Sequence, residues 1–91
     1  MFVVVCYDIP DSKRRTGVGK TLEGYGYRVQ KSVFECEVSP ELYQKMKRRV
    51  EKLVAKEEDS VRYYNLCQNC AGKVEICGLG EVQREKSLFV V

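Results

Sequence analysis

Hydrophobic residues fill the first positions of the chain and stop at a proline. Six apolar or aromatic residues run without a break from position 2 to position 7, and Asp8 follows them directly. A short, valine-rich run that is closed by Ile9-Pro10 predicts a fully buried β-strand. Asp8 would then lie where a central strand leaves the core, with its carboxylate held by a rigid element. The pattern therefore makes Asp8 the first candidate for a functional residue.

Two later stretches have the spacing of amphipathic helices. In the first, Asp11 or Ser12 is a capping residue, and one narrow apolar stripe follows, formed by Val18, Leu22 and Tyr25. In the second, Ser39-Pro40-Glu41 supplies a capping serine, a proline at the first helical position and an acid in the first turn. Its apolar stripe is formed by Leu42, Met46, Val50, Leu53 and Val54.

The remaining segments predict strands. Between the helices, the apolar alternation of residues 27–38 changes parity at Lys31-Ser32-Val33, and one regular strand cannot change faces. A bulge or tight reversal there predicts two short strands. Further strands are predicted at residues 60–66, at residues 73–77 after a turn at 67–72, and at residues 87–91.

The resulting order is β-α-β-β-α-β with additional C-terminal strands. This order is typical of an α+β, ferredoxin-like fold, in which two helices cover one face of an antiparallel sheet. We expect residues 1–80 to form the ferredoxin-like domain and residues 81–91 to form a linker and a strand. Because an apolar terminal strand without a partner favours aggregation, we expect it to pair with a partner subunit in a homodimer. A chain of 91 residues also gains stability from oligomerisation.

Charge changes this picture locally. The net charge is only +3, but between Ser12 and Phe34 six cations face a single acid, Glu23. Clustered positive charge favours phosphates or acidic lipids as partners, while the alternative is a solvated helix face. No apolar stretch is long enough for a membrane span, and the first residues lack the basic region and the longer apolar segment that are typical of a signal peptide. We therefore expect a cytoplasmic protein that has no membrane partner and keeps its five cysteines reduced.

Asp8 suggests metal chemistry that one chain cannot complete. Mg²⁺ is usually held by one or two carboxylates together with water and phosphate oxygens. A two-fold dimer that brings two copies of Asp8 together would supply both carboxylates, and the metal would promote phosphodiester hydrolysis. The alternative is that Asp8 is a turn or capping residue.

A second set of residues suits nucleic acid. It comprises Tyr7, Arg14, Arg15, Arg28 and Phe34. Arginine donates two hydrogen bonds to a phosphate, and an exposed aromatic ring stacks on a base. The alternatives are salt bridges for the arginines and core packing for the rings.

The cysteines at positions 67, 70 and 77 give no complete site. A structural zinc ion needs four ligands, and the chain contains no histidine, so the fourth ligand would have to come from outside this turn or from a partner. The Cys67-x-x-Cys70 pair also does not follow a first βα turn, as a thioredoxin-like redox pair would. We assign it no site role.

Four segments resemble the small subunit of the CRISPR adaptation machinery, the second of the two universal CRISPR-associated proteins. They are Val4–Pro10, Arg14-Arg15, Glu23–Glu35 and Asp59–Tyr64, and the part from Gln30 to Glu35 is the most specific. The resemblance implies a ferredoxin-like homodimer that exchanges C-terminal strands. It also implies cleavage of single-stranded RNA or double-stranded DNA, and a role in bridging two dimers of an integrase partner during spacer acquisition.

The same resemblance assigns roles to individual residues. Asp8 would hold Mg²⁺ between the subunits, and Tyr7 would join it as a catalytic residue. Arg14, Arg15, Arg28 and Phe34 would contact the nucleic acid. The alternative function is a ferredoxin-like regulatory module that binds a small ligand and has no nuclease activity.

Overall fold

Strands and helices follow one another in the order β-α-β-β-α-β along the part of the chain that the structure describes, residues 1–66 and Glu75. In this computed structural model the elements are β1 (Phe2–Asp8), α1 (Ser12–Glu23), β2 (Tyr27–Gln30), β3 (Val33–Glu37), α2 (Pro40–Glu51) and β4 (Ser60–Leu66). The order confirms the predicted α+β, ferredoxin-like class.

β1 lies in the middle of the sheet. The strand order is β2-β3-β1-β4, and each neighbouring pair is antiparallel. Val3, Val5 and Tyr7 belong to the core cluster shared with both helices. Val4 and Cys6 point to the opposite face and are half-buried. The predicted full burial of this strand is therefore wrong for a single chain, because the helices cover only one face of the sheet. We call the other face the open face.

Both helices begin where the sequence predicts. The Asp11 carboxylate accepts a hydrogen bond from the backbone N–H three residues further on at 2.9 Å, and the Ser39 hydroxyl accepts the equivalent bond at 3.2 Å. These bonds satisfy N–H groups that have no partner within the helix. Val18 and Leu22 of α1 are fully buried, and Tyr25 packs against the same core. The predicted stripe of the first helix is confirmed.

The apolar stripe of α2 differs from the predicted one. Tyr43, Met46 and Val50 are its buried residues, whereas Leu42 is 46% exposed and Leu53 is 39% exposed. The larger ring of Tyr43 takes the core position beside Leu42, because the two neighbours cannot both face inward. The helix also ends before Leu53, so helical spacing no longer applies there. The predictions for Leu42 and Leu53 are wrong.

The parity change between the helices is a tight reversal. β2 and β3 are joined by the two-residue connection Lys31-Ser32, and their register shifts between Arg28 and Gln30. The two predicted short strands are confirmed. The pairing of Arg28 with Phe34 in this hairpin places the Arg28 side chain on the helix-covered side of the sheet.

Some predictions lie outside the described residues. They are the turn at residues 67–72, the strand at 73–77 apart from Glu75, the strand at 87–91, and the division between residues 1–80 and 81–91. All of these stay predictions. In residues 1–66, neither 12-residue helix has the length or the apolar character to cross a membrane.

One residue of the core carries an unsatisfied polar group. Tyr63 of β4 packs its ring edge-on against Tyr43, with ring centroids 6.0 Å apart. Its buried hydroxyl has no hydrogen-bond partner among the residues described. Burial, with smaller contributions from Glu51 and Tyr43, raises the pKa of Tyr63 to about 12. The folded state therefore favours the neutral phenol.

We expect Tyr63→Phe to reduce the decrease in the free energy of unfolding as the pH rises from 7 to 12. The raised pKa stabilises the fold fully below the unfolded pKa of about 10, and this contribution disappears as the pH rises through about 12. Removing the hydroxyl should also raise the free energy of unfolding at pH 7 by up to about 1 kcal/mol. Urea unfolding between pH 7 and 12 measures both effects. Tyr27→Phe, on an exposed ring, is the control, and identical pH profiles for Tyr63→Phe and the wild type would contradict the prediction.

Candidate functional site

Asp8 lies at the end of the central strand with its side chain exposed. It is the last residue of β1 and pairs with Ser60, the first residue of the neighbouring antiparallel strand. Side chains alternate along a strand, so Asp8 follows Val4 and Cys6 on the open face. It borders a shallow depression of about 290 Å³, lined by Cys6, Tyr7, Asp8, Ser60, Arg62 and Tyr64. We call this depression the Asp8 site.

The Asp8 site supplies one carboxylate and few other metal ligands. Ser60 and Tyr64 carry hydroxyls, while Arg62 brings a positive charge. Tyr64 raises the pKa of Arg62, so this guanidinium stays cationic. Within residues 1–66 and Glu75, no three His, Cys, Asp or Glu side chains form a group that could hold a metal ion. Asp8 has the oxygen chemistry that Mg²⁺ prefers, but one chain supplies only half of a two-carboxylate site.

Tyr7 points to the opposite side of the sheet from Asp8. Its ring is 5% exposed, and its hydroxyl donates a hydrogen bond to the Lys31 carbonyl at 3.3 Å. Arg28 donates from Nη1 to the Tyr7 hydroxyl at 3.3 Å and to the same carbonyl. The backbone of Tyr7 borders the Asp8 site, but its hydroxyl lies on the helix side. Its catalytic role therefore stays a prediction, and the geometry associates Tyr7 with Arg28 instead.

A second depression opens on this helix side. It has a volume of about 580 Å³ and lies between α1 and the β2–β3 reversal. Its lining carries four cations, two hydroxyl residues, one acid and the Tyr7 ring, in chain order Tyr7, Arg15, Thr16, Lys20, Glu23, Arg28, Lys31 and Ser32. We call it the basic groove. The cations exceed the acids by three, which favours an anionic ligand.

Arg15 connects the basic groove to the segment that follows Asp8. Its Nη1 donates to the carbonyl of Ile9 at 2.9 Å and to the carbonyl of Pro10 at 3.2 Å. Arg15 therefore fixes the turn between the strand that carries Asp8 and the first helix. Its side chain remains exposed and can reach a ligand. The contact of Arg15 with nucleic acid stays a prediction.

Arg14 is held by the fold. Its Nε and Nη2 donate to the two carboxylate oxygens of Asp59 at 2.8 and 3.1 Å. The Asp59 side chain is fully buried, and it also accepts a bond from the backbone N–H of Ala55 at 2.8 Å. The hydrogen bond from Arg14 holds the pKa of Asp59 below its usual value. Because its guanidinium joins α1 to the loop before β4, Arg14 has a structural role, and its contact with nucleic acid stays a prediction.

Phe34 is fully buried in the core. Its ring is stacked near that of Tyr7, at a centroid distance of 6.3 Å, and the Arg28 guanidinium lies 4.8 Å from its centre. A ring without exposed surface favours the alternative of core packing, and the contact of Phe34 with nucleic acid stays a prediction. Phe34 supports Arg28 through a cation–π contact.

Sequence reasoning missed Arg62 and Tyr64 in the Asp8 site. Both lie on β4 with the same parity, and antiparallel pairing with β1 puts Arg62 opposite Cys6 and Tyr64 opposite Val4. Their alternation along the strand was visible in the sequence. The side of the sheet that they share with Asp8 follows only from the strand order and the register.

These features define a class of protein: a small ferredoxin-like domain with an exposed acid at the end of its central strand and a groove of cations on the other side. The chain belongs to the CRISPR-associated Cas2 family. The family model described as CRISPR associated protein Cas2 matches residues 1–74. This confirms the resemblance to the second universal CRISPR-associated protein.

Individual relatives agree with this assignment. The chain is 45% identical over 75 residues to CRISPR-associated endoribonuclease Cas2 3 of Synechocystis, with 82% of each chain covered. It resembles the crystal structure of Streptococcus pyogenes Cas2 at pH 6.5 with a TM-score of 0.76 and 38% identity, covering 86% of this chain and all of that one. A chain of a partial Cas6-RT-Cas1–Cas2 complex gives a TM-score of 0.71 and 28% identity, with 82% and 88% covered.

Proposed function

We propose that this protein is a homodimeric subunit of CRISPR adaptation that binds nucleic acid, bridges dimers of an integrase partner and cleaves phosphodiester bonds with Mg²⁺. The observation that carries the cleavage activity is the exposed Asp8 carboxylate at the end of the central strand. The name endoribonuclease, carried by the Synechocystis relative, supports the same chemistry. Family membership favours this function over a regulatory module that binds a small ligand.

The need for a second carboxylate supports a dimer. Among the described residues that line the Asp8 site, Asp8 is the only acid. The open face that carries it also leaves Val4 and Cys6 half-buried. A second copy of the chain that covers this face around a two-fold axis would bring a second Asp8 to the same place. The predicted exchange of C-terminal strands would add to the same interface.

Four residues of the Asp8 site then have roles. Two Asp8 carboxylates would hold Mg²⁺, which when bound activates a water molecule and neutralises charge on the phosphodiester. Arg62 would hold a non-bridging phosphate oxygen, since its guanidinium stays charged. The hydroxyls of Ser60 and Tyr64 would orient the nucleic-acid strand or a metal-bound ligand. Single-stranded RNA and double-stranded DNA are the two substrates to compare.

The adaptor role has a separate support. A structural relative is part of a partial Cas6-RT-Cas1–Cas2 complex, and this favours an integrase of the Cas1 kind as the partner here. A surface that clamps DNA beside the integrase has to be positively charged and exposed. Arg15, Lys20 and Arg28 have exposed side chains, whereas Arg14 is paired with the buried Asp59. Charge reversal at Arg14 would therefore disturb the fold at Asp59 in addition to any contact with DNA.

Removal of divalent metal tests the nuclease proposal. We expect EDTA to abolish cleavage of single-stranded RNA and of double-stranded DNA by the purified chain, and added Mg²⁺ to restore it. Sedimentation in the same buffers should show a dimer with and without metal, because the predicted strand exchange does not depend on the ion. Cleavage that continues at full rate in EDTA would contradict the Mg²⁺ site. A chain that is monomeric at micromolar concentration would contradict a site that two subunits share.

A further inference from the structure

We propose that the basic groove is a phosphate-binding site, separate from the Asp8 site and built around a guanidinium that Gly19 allows to lie against the first helix. The inference takes nucleic acid as the source of phosphate, as the proposed function does, but it does not depend on cleavage at Asp8. The two sites lie on opposite sides of the sheet, one on the open face and the other on the helix side. They can therefore bind different phosphate groups.

The lining of the groove has the chemistry of a phosphate site. Arg15, Lys20, Arg28 and Lys31 converge on one depression against a single acid, Glu23. Two hydroxyl residues of the lining add neutral donors of the kind that phosphate oxygens accept. A volume of about 580 Å³ lies within the range of about 300–1,000 Å³ that is typical of small-molecule sites.

Arg28 is fixed in place before any ligand arrives. Its Nη1 is bound by the Tyr7 hydroxyl and the Lys31 carbonyl, and its guanidinium lies over the Phe34 ring. Its Nη2 is 3.5 Å from Glu23, whose side chain is 58% exposed. An exposed ion pair of this length contributes little stability, so an incoming phosphate can replace Glu23 at Nη2. Because the guanidinium is already ordered, binding costs less conformational entropy.

Gly19 explains why this arrangement is more than a solvated helix face. A glycine inside a helix costs about 1 kcal/mol relative to alanine. A Cβ at position 19 would lie 2.6 Å from Nη2 of Arg28 and 3.2 Å from the Tyr7 hydroxyl. The absence of a side chain at Gly19 is what lets the guanidinium reach Tyr7. At Gly17, two residues earlier, a Cβ would meet only Leu53 at 3.9 Å, an ordinary contact.

A titration followed by amide and arginine Nε–H resonances tests the site on the full chain. The ligands are inorganic phosphate, adenosine 5′-monophosphate and an unphosphorylated single-stranded oligonucleotide, at constant ionic strength set with sodium chloride. Saturable shifts at Arg28, Lys31 and Thr16 with the first two ligands would identify a phosphomonoester site. Shifts with the oligonucleotide alone would identify a phosphodiester within a strand. Both results support the proposal, and no saturable shift with any of the three overturns it.

Two glycine variants make the test specific. Gly19→Ala should displace the end of the Arg28 side chain and weaken phosphate binding at least about tenfold, the loss of one charged hydrogen bond. Gly17→Ala should bind as the wild type does, although both changes add one methyl group to the same helix. Arg28→Gln should weaken binding similarly if Gly19→Ala does not fold. Equal affinity of Gly19→Ala, Arg28→Gln and wild type would overturn the proposal.

The same variants separate this site from the proposed nuclease. Asp8→Asn should keep the phosphate shifts in the groove while it loses cleavage. If Asp8→Asn cleaves normally and the groove still binds, the nuclease proposal fails and the phosphate site stands. If the groove does not bind while cleavage depends on Asp8, the phosphate site fails alone.

Discussion

Replacing Asp8 by Asn should lower Mg²⁺-dependent cleavage at least about 100-fold, which corresponds to about 3 kcal/mol of transition-state stabilisation. Asn has nearly the same shape as Asp but lacks the charge that holds a hard divalent cation. The Asp8 side chain is exposed and belongs to no ion pair that the described residues form. We therefore expect the variant to fold with an unchanged melting temperature, so that loss of cleavage reports on chemistry.

A control lies three residues further along the chain. Asp11→Ser also removes an exposed carboxylate near the end of the central strand, but its hydroxyl preserves the cap of α1. It should cleave as the wild type does. If both variants lose activity equally, the effect is one of general charge and the metal site at Asp8 is contradicted. If Asp8→Asn cleaves normally, a nuclease site at Asp8 is contradicted directly.

Mixed dimers test whether two copies of Asp8 share the metal. When wild-type and Asp8→Asn chains are exchanged in equal amounts, about one quarter of the dimers of a two-fold assembly contain two carboxylates. A shared site predicts activity of about one quarter of the wild type, whereas independent sites predict about one half. Measuring the rate against the fraction of wild-type chain separates a quadratic from a linear dependence.

The sequence was sufficient where a signal is local. The strand β1, the starts of both helices and the reversal at Lys31-Ser32 each depend on residues a few positions apart, and each was predicted correctly, although the full burial of β1 was not. The choice between the neighbours Leu42 and Tyr43 was wrong, because both are apolar and helical spacing alone does not decide which one packs inward. Only the helix's contact with the sheet settles it.

The composition of the sites depends on contacts between distant residues. Arg14 pairs with Asp59, 45 positions away, and no local pattern distinguishes it from its exposed neighbour Arg15. Arg62 joins Asp8 only through the antiparallel register of two strands. The sequence therefore identified Asp8 as a candidate, but it combined into one set residues that the fold divides between two sides of the sheet.

Gly26→Ala should destabilise the fold by about 3 kcal/mol, the upper end of what overpacking costs. Gly26 lies where the chain passes from α1 into β2, and its backbone N–H donates to the Leu22 carbonyl at 3.0 Å. A Cβ there would overlap the carbonyl oxygen of Glu35 and lie 2.6 Å from the Sγ and 2.8 Å from the Cα of Cys36. Two of these atoms belong to the backbone of the adjacent strand β3, and Cys36 is fully buried. None of them can swing into solvent, so the hairpin itself would have to move.

Gly24→Ala provides the comparison, because it lies two residues earlier in the same connection. The nearest atom to a Cβ at Gly24 is the Thr21 carbonyl oxygen at 3.4 Å, a contact that a small shift accommodates. Urea unfolding at pH 7 should show a much lower midpoint for Gly26→Ala, and for Gly24→Ala a free energy of unfolding within about 0.5 kcal/mol of the wild-type value. Equal midpoints would mean that β2 does not approach β3 as closely at this point as the structure shows. Because Arg28 lies two residues beyond Gly26, a displaced hairpin should also weaken phosphate binding in the basic groove, which gives a second readout of the same movement.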